Sequence, residues 1–338
     1  MKAGIINESS DEIEIKDMDI PKLENGEALI SVKALGICGS DLKIIHKFLK
    51  PPFYPFIIGH EIAGSLIEAK PSNKNEEEIV QKIEGEGGNV IVYFYVGCNI
   101  CPHCKRGEMN LCYNVKRIGF ELNGGLAEFV KAPIINLVPL KSKLTYENAV
   151  LADAGATVFR ALKKVKIRPG LSAAVMGVGG LGSMAIQLLR LFGCEIVALD
   201  KKEEKLKLAR ELGANYTVNT VEHKDGIDYK VDLFMDFVGN SESQEIAMKM
   251  LKKKGNLIQV GYTNSSLSKI AIKDLIYNEI KIMGSIGNSI NDLYEVVELA
   301  SKGFIRAIIT NEYKMEEVNK ALKDLEENKV RGRSLIRI

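Results

Sequence analysis

Ala173-Ala174-Val175-Met176-Gly177-Val178-Gly179-Gly180-Leu181-Gly182 is a short apolar strand running into a G-x-G-x-x-G turn, and an apolar helical stretch follows over 183–192. Glycine first in this pattern permits the tight turn. The second lets a backbone approach a pyrophosphate, and the third lets strand and helix pack closely. The helix N-terminus then offers N–H groups and a positive dipole end to phosphate. Gly177, Gly179, Gly180, Leu181 and Gly182 are therefore candidate dinucleotide contacts. The next strand, Glu195-Ile196-Val197-Ala198-Leu199-Asp200, ends in a carboxylate 18 residues past Gly182. A carboxylate there accepts hydrogen bonds from ribose hydroxyls and repels a 2′-phosphate, which favours NAD. Lys201 and Lys202 keep NADP as the alternative.

The surroundings fit a doubly wound α/β sheet. Apolar strand-like runs lie near 172–177, 195–200, 215–218, 231–237, 256–261 and 280–285, separated mostly by helical runs. They are β-branched without strict alternation, as strands covered on both faces are. Upstream, residues 1 to about 150 read as short strands and turns, with period-two alternation at 28–34, 62–69 and 126–131. Residues 71–89 are polar, acidic and Gly-rich, and predict a surface excursion with little structure, in which Glu76, Glu77 and Glu78 are solvated. Residues 146–164 have helical spacing. Helices are expected at 291–302 and 315–328, and a closing strand at 334–338.

Composition narrows the class. The chain has 338 residues, more than one hydrophobic core usually organises. Lys and Arg (46) nearly balance Asp and Glu (44), so no global basic field attracts nucleic acid or an anionic membrane. The first residues are too short an apolar run for a signal peptide, and no run of ~18 apolar residues predicts a spanning helix. A cytoplasmic protein without nucleic-acid or membrane partners is expected.

Cys98-x2-Cys101-x2-Cys104-x7-Cys112 suits a closed tetrahedral zinc of structural type. An iron–sulfur run would carry its fourth cysteine after three residues, followed by proline. A zinc-ribbon nucleic-acid binder would separate two knuckles by a longer loop and add more basic charge. His103 reads as a solvated loop residue, and Cys194 as packing. Elsewhere, Cys38, His60 and Asp153 taken singly read as a small buried side chain, a structural histidine and a helix N-cap.

Taken together, Gly36-Ile37-Cys38-Gly39-Ser40-Asp41, Gly59-His60-Glu61, the four-cysteine lobe, Gly124-Gly125-Leu126-Ala127-Glu128-Phe129, the glycine turn and Gly332-Arg333 resemble the zinc-containing medium-chain alcohol dehydrogenase family over nearly the whole length. The resemblance implies a catalytic zinc held by Cys38, His60 and Asp153, with Glu61 as a neighbouring fourth ligand. It implies a second zinc in the lobe 98–112, two per chain. Asp41 corresponds to the carboxylate that orients the zinc histidine, Ser40 to a proton-relay hydroxyl, and Arg333 to an arginine that pairs with the cofactor pyrophosphate. Relatives often carry a histidine five residues after the zinc cysteine. This chain has Lys43 there and His46 three residues on, so the relay ends at Lys43, at His46 or in water.

The expected architecture is a Rossmann domain over 153–287, plus a chaperonin-10-like irregular β-barrel domain from 1–152 and 288–338 carrying the zinc lobe. The active site is expected in the cleft between them. The expected reaction is reversible, zinc-assisted hydride transfer between NAD(H) and an alcohol–carbonyl pair of small molecules. A polyol or sugar dehydrogenase of the same frame is the nearest alternative. A non-catalytic nucleotide-sensing or nucleic-acid-binding protein is the alternative from another class. Phe48, Phe53, Tyr54, Phe94 and Phe120 could line an apolar pocket or lie in the core. A homotetramer or homodimer is expected, with 276–290 as the pairing edge.

Overall fold

The computed structural model describes residues 1–222, 228–266 and 270–338. The chain divides into two compact units, Met1–Ala156 with Asn288–Ile338, and Thr157–Gly287.

The second unit is built on a parallel sheet, six-stranded among the described residues. Its order is Tyr216–Asn219, Glu195–Asp200, Ser172–Met176, Val231–Asp236, Leu251–Gln259, Lys281–Gly284. Ser172–Met176 is buried at every position, and it pairs in parallel with both neighbours. Small alanines there let the layers close, and Met176, Leu199, Phe234, Met250 and Leu257 fill the core. Strand order reverses on either side of Ser172–Met176. That reversal is the switch point at which open parallel sheets bind ligands, and the glycine turn leaves from it. The Gly180–Leu191 helix follows directly.

In the first unit, a long strand, Glu27–Ile37, organises the larger sheet. On one side it pairs antiparallel with Glu61–Ala69, so that Gly36 faces Glu61. The other side is shared. Its first half pairs with Phe129–Pro133, and its second half with Arg333–Arg337, where Ser334 faces Ile37. The C-terminal stretch is thus stitched into this unit. Tyr93, fully buried, donates its hydroxyl to the Asn288 carbonyl at 2.7 Å, and Asn288 Nδ2 donates to the Ala152 carbonyl at 2.9 Å. The cysteine lobe hangs between two short paired strands, Tyr95–Val96 and Lys116–Arg117.

Three sequence expectations need correction. Residues 71–89 are not a structureless excursion, because Lys74–Gly85 is an α-helix. Asn73 caps it by accepting from the Glu76 N–H at 3.1 Å, and Ile83 is fully buried beneath it. Glu76 and Glu77 sit in its first turn, where carboxylates favour the helix dipole. Glu76 is nearly buried and accepts from the Ser72 N–H and hydroxyl at 2.7 and 2.8 Å, so it is not solvated. Second, 146–164 is not one helix. A 3-10 segment, Tyr146–Ala152, gives way at Asp153 to the Ala154–Leu162 helix. Asp153 closes the first rather than capping the second by the usual geometry. Third, the segment read at 126–131 is a strand at Phe129–Pro133. The Ile290–Ser301 and Val318–Glu326 helices and the Arg333–Arg337 strand lie where the spacing predicts.

Loss of the cap should cost about 1 kcal/mol in Asn73→Ala, and the cavity in Ile83→Ala about 2–5 kcal/mol. Urea unfolding should show both midpoints lowered, Ile83→Ala more than Asn73→Ala. Equal, negligible shifts would mean that the helix is not packed.

Candidate metal centres and nucleotide turn

Adjacent strands deliver one cluster of donors. Cys38 follows the end of Glu27–Ile37 and caps the Gly39–Ile45 helix. His60 immediately precedes the neighbouring strand, Glu61 opens it, and Asp153 arrives at the end of the 3-10 segment. One ligand atom from each of Cys38, His60, Glu61 and Asp153 lies within 4.8 Å of the others. Cys38 Sγ is 3.4 Å from Asp153 Oδ2, which is 3.9 Å from His60 Nε2. Bond lengths of about 2.0–2.3 Å to a tetrahedral zinc would set neighbouring donors roughly 3.3–3.8 Å apart, so the spacing fits. Gly36 makes room for Glu61, since a Cβ there would fall 2.0 Å from Glu61 Oε2.

Asp41 is fully buried and holds two parts of the site. Its Oδ2 accepts from the Cys38 N–H at 2.8 Å, and its Oδ1 lies 3.4 Å from His60 Nδ1. That contact turns Nε2 toward Cys38 and Asp153. Rings of Phe94 and Phe120 stand 5.0 and 4.8 Å from the His60 ring. Both are buried, whereas Phe48 and Phe53 are 46% and 43% exposed. Burial works against an imidazolium at His60, yet Asp41, Asp153 and Cys38 together hold its pKa well above the usual value. A buried donor set with this much negative charge is suited to a cation.

Arg333 is buried. Its Nη2 lies 2.8 Å from Glu61 Oε1 and 3.2 Å from Asp153 Oδ2. Burial raises the Glu61 pKa to about 7, against the pull of Arg333. Gly332-Arg333 was visible in the sequence, but its partners were not. They follow from the Arg333–Arg337 strand lying beside the strand that ends just before Cys38.

Ser40 Oγ is 3.8 Å from Cys38 Sγ. Lys43 is half-buried on the same helix, and burial lowers its pKa while Cys38 opposes the shift. His46 is exposed, with Nε2 2.9 Å from Glu326 Oε1.

In the lobe, the sulfurs of Cys98, Cys101, Cys104 and Cys112 also lie within 4.8 Å of one another, and no cysteine forms a disulfide among the described residues. Backbone N–H groups aim at the sulfurs. Cys98 and Asn114 donate to Cys112 at 3.3 Å, and Cys104 donates to Cys101 at 3.5 Å. That last bond leads the effects holding the Cys101 thiol at about 6, the thiolate side of neutrality, while burial pushes Cys104 up to about 12. Four sulfurs in this arrangement fit a zinc that has no open position. His103 is not a free loop residue. It lies on the short Pro102–Lys105 helix, with Nδ1 3.2 Å from Glu108 Oε2. Cys194 is buried, as packing requires.

In the second unit, Gly177 has φ +89°, and a Cβ on Gly182 would fall 2.0 Å from the Gly177 carbonyl oxygen. Asp200 braces the turn, since its Oδ2 accepts from the Val178 N–H at 2.8 Å and its Oδ1 from the Lys202 N–H at 3.0 Å. Lys201 reaches Glu242 at 3.1 Å. Asp236, which the sequence reading did not single out, is fully buried at the end of the neighbouring strand. It accepts from the Val238 and Gly239 N–H groups at 2.8 and 3.0 Å and from the Ser243 hydroxyl at 2.6 Å, fixing the loop beside Gly177.

Residues 24–142 match the alcohol dehydrogenase GroES-like domain, and residues 180–302 the zinc-binding dehydrogenase model. An alcohol dehydrogenase of Geobacillus stearothermophilus is 33% identical over 100% of this chain and 99% of its own length. An NAD-dependent alcohol dehydrogenase of Sulfolobus acidocaldarius is 32% identical, with both chains fully covered. The crystal structure of the alcohol dehydrogenase from Aeropyrum pernix superimposes with a TM-score of 0.88 at 32% identity, again over both full lengths. The chain belongs to the zinc-containing medium-chain alcohol dehydrogenase family. It is an oxidoreductase of the zinc-binding dehydrogenase type.

Removing Arg333 would strand buried carboxylates. Arg333→Ala should lower stability by about 3–5 kcal/mol, and Arg333→Lys should recover part of it. Thermal unfolding measures both, and an unchanged melting temperature in Arg333→Ala would contradict the buried ion pair.

Proposed function

We propose that Cys38 Sγ, His60 Nε2 and an Asp153 oxygen hold the catalytic zinc, and that the lobe cysteines hold a second, structural zinc. The reaction is reversible hydride transfer between an alcohol carbon and NAD. The observation that supports this best is the buried Cys38–His60–Asp153 cluster, whose 3.4 and 3.9 Å donor spacings suit a tetrahedral zinc.

Zinc bound there supplies a Lewis acid that lowers the pKa of an alcohol oxygen and polarises a carbonyl in the reverse direction. The rest falls to the protein. Cys38 and Asp153 offset the charge of a divalent ion, while Glu61 is balanced by Arg333. Glu61 is within reach as an exchangeable fourth ligand. Asp41 keeps the proton of His60 on Nδ1 and so leaves Nε2 free to ligate. Ser40, two residues past Cys38, takes the alcohol proton. Phe94 and Phe120 form an apolar wall that excludes water and suits an alcohol with an apolar substituent. The turn from Gly177 through Gly179, Gly180 and Leu181 to Gly182 receives the NAD pyrophosphate. Asp200 receives the adenosine ribose, and Lys201, drawn off to Glu242, leaves a 2′-phosphate without that cation.

A homodimer or homotetramer suits the second unit. Lys281–Gly284 is the sheet's edge strand, and Ile272, Ile276, Tyr277 and Ile286 near it are exposed apolar side chains. A second copy pairing along that edge would cover them. No described helix is long and apolar enough to cross a membrane, and we place the enzyme in the cytoplasm.

The test is a substrate panel of alcohols, polyols and sugars run with NAD and with NADP. Turnover of simple alcohols with NAD is expected. Turnover confined to polyols or sugars would make it the related sugar enzyme, and no turnover at all would contradict catalysis. Asp153→Ala should lose activity and one zinc per chain while the lobe zinc stays. Retention of both metals with full turnover would reject Asp153 as a ligand.

A further inference from the structure

A phenol hydroxyl taken out of water normally finds a partner. Tyr93 donates to the Asn288 carbonyl at 2.7 Å, Tyr146 to Asn89 Oδ1 at 2.7 Å and Tyr313 to Asp324 Oδ2 at 2.8 Å. Tyr95 differs. It is 5% exposed, and its hydroxyl has no hydrogen-bond partner among the described residues. The residue itself is firmly held. Its backbone pairs with Arg117, and its carbonyl accepts from the buried Asn136 Nδ2 at 2.9 Å. Its ring centre lies 4.3 Å from that of Phe94, whose ring stands 5.0 Å from the His60 ring. Burial, and after it the charge of Asp153, pushes the phenol pKa up, with Arg117 and His60 opposing and Cys38 adding to the rise. The hydroxyl is therefore within electrostatic reach of Cys38, His60 and Asp153, and it stays a neutral donor. Cations that would draw a charged ligand here are engaged, Arg333 with Glu61 and Asp153, and Arg117 with Glu121 at 3.0 Å.

We propose that Tyr95 selects the substrate, its hydroxyl donating a hydrogen bond to a second, uncharged oxygen of the alcohol. The preferred substrate is then a diol or an alkoxy alcohol that also carries an apolar group. The inference rests on the proposed reaction at the Cys38–His60–Asp153 cluster and names the substrate class of that site. Three features argue for this class. A protonated phenol donates, so its partner is a hydroxyl, ether or carbonyl oxygen. A carboxylate or phosphate on the substrate would face the charges of Cys38 and Asp153 with Arg333 already engaged. A sugar or longer polyol would lay further hydroxyls against Phe94 and Phe120, whose rings have no polar atom to answer them. Tyr95 touches the substrate away from the carbon that loses hydride. The bond forms alike in the bound alcohol and in the transition state, so it acts on KM and not on kcat. Its absence leaves a buried hydroxyl unpaired, which disfavours a simple alcohol of the same shape.

The experiment compares the zinc-loaded parent with Tyr95→Phe, which keeps the ring and removes the hydroxyl. The alcohols are 1-phenylethanol, 1-phenyl-1,2-ethanediol and 2-methoxy-1-phenylethanol, each with NAD. In the parent, the diol and the ether should exceed 1-phenylethanol in kcat/KM by roughly three- to tenfold. Tyr95→Phe should close that gap by raising KM for the diol and the ether. Its kcat values, its constants for 1-phenylethanol, its zinc content and its melting temperature should stay with the parent. Calorimetry gives a second readout, binding of 2-hydroxyacetophenone and acetophenone to the enzyme with oxidised NAD, where no hydride can pass. The parent should bind the hydroxy ketone more tightly by a similar factor, and Tyr95→Phe should bind both alike. A parent without the gap in binding would overturn the inference. So would a gap that persists in Tyr95→Phe, or an equal loss on all three alcohols, which would make the residue structural. A parent that oxidises no alcohol but keeps the binding gap contradicts the proposed reaction and supports the selection by Tyr95. Turnover without any gap overturns the selection alone.

Discussion

Buried negative charge that has to be balanced governs the first unit. Cys38, Asp41, Glu61 and Asp153 converge in a space where His60 and Arg333 are the basic groups facing them. Uncompensated ions are expensive in such surroundings, so each acid has a specific answer. Asp41 is answered by the Cys38 N–H and the His60 ring, and Glu61 by Arg333. Cys38 Sγ lies 3.4 Å from Asp153 Oδ2, and that same oxygen meets Arg333 at 3.2 Å. The strand pairings that build the unit are also what gather these groups. Gly36 faces Glu61 on one side of the long strand and Leu335 on the other, so the sheet cannot form in register without assembling the site.

The second unit follows a different constraint. Its turn needs a positive φ at Gly177 and a bare Cα at Gly182, and both requirements come from backbone crowding. Asp200 shows how one carboxylate serves two ends. It holds the Val178 N–H of the turn through one oxygen and the Lys202 N–H through the other. Asp236 performs the matching task on the next loop.

Much of this was legible in the sequence for a physical reason. Parallel strands buried on both faces read as apolar runs, and a phosphate-binding turn needs glycine at fixed spacing. Metal ligands need thiolate, imidazole or carboxylate, which are few and stand out. Less legible were features whose meaning depends on partners far along the chain. Arg333 gave no sign that it would face Glu61 and Asp153, because that contact depends on which strands lie side by side. The Lys74–Gly85 helix was missed because Glu76, Glu77 and Glu78 suggest solvent, although Asn73 and the buried Ile83 carried the contrary signal. Asp153 falls at a break between two helical segments, where spacing predicts one continuous helix.

Crystals grown with zinc and measured at the zinc absorption edge give the most direct measurement. An anomalous difference map should show two peaks per chain. One should lie among the sulfurs of Cys98, Cys101, Cys104 and Cys112, and the other between Cys38 Sγ, His60 Nε2 and Asp153. A map with the lobe peak alone, or with the second peak away from Cys38 and His60, would contradict the account.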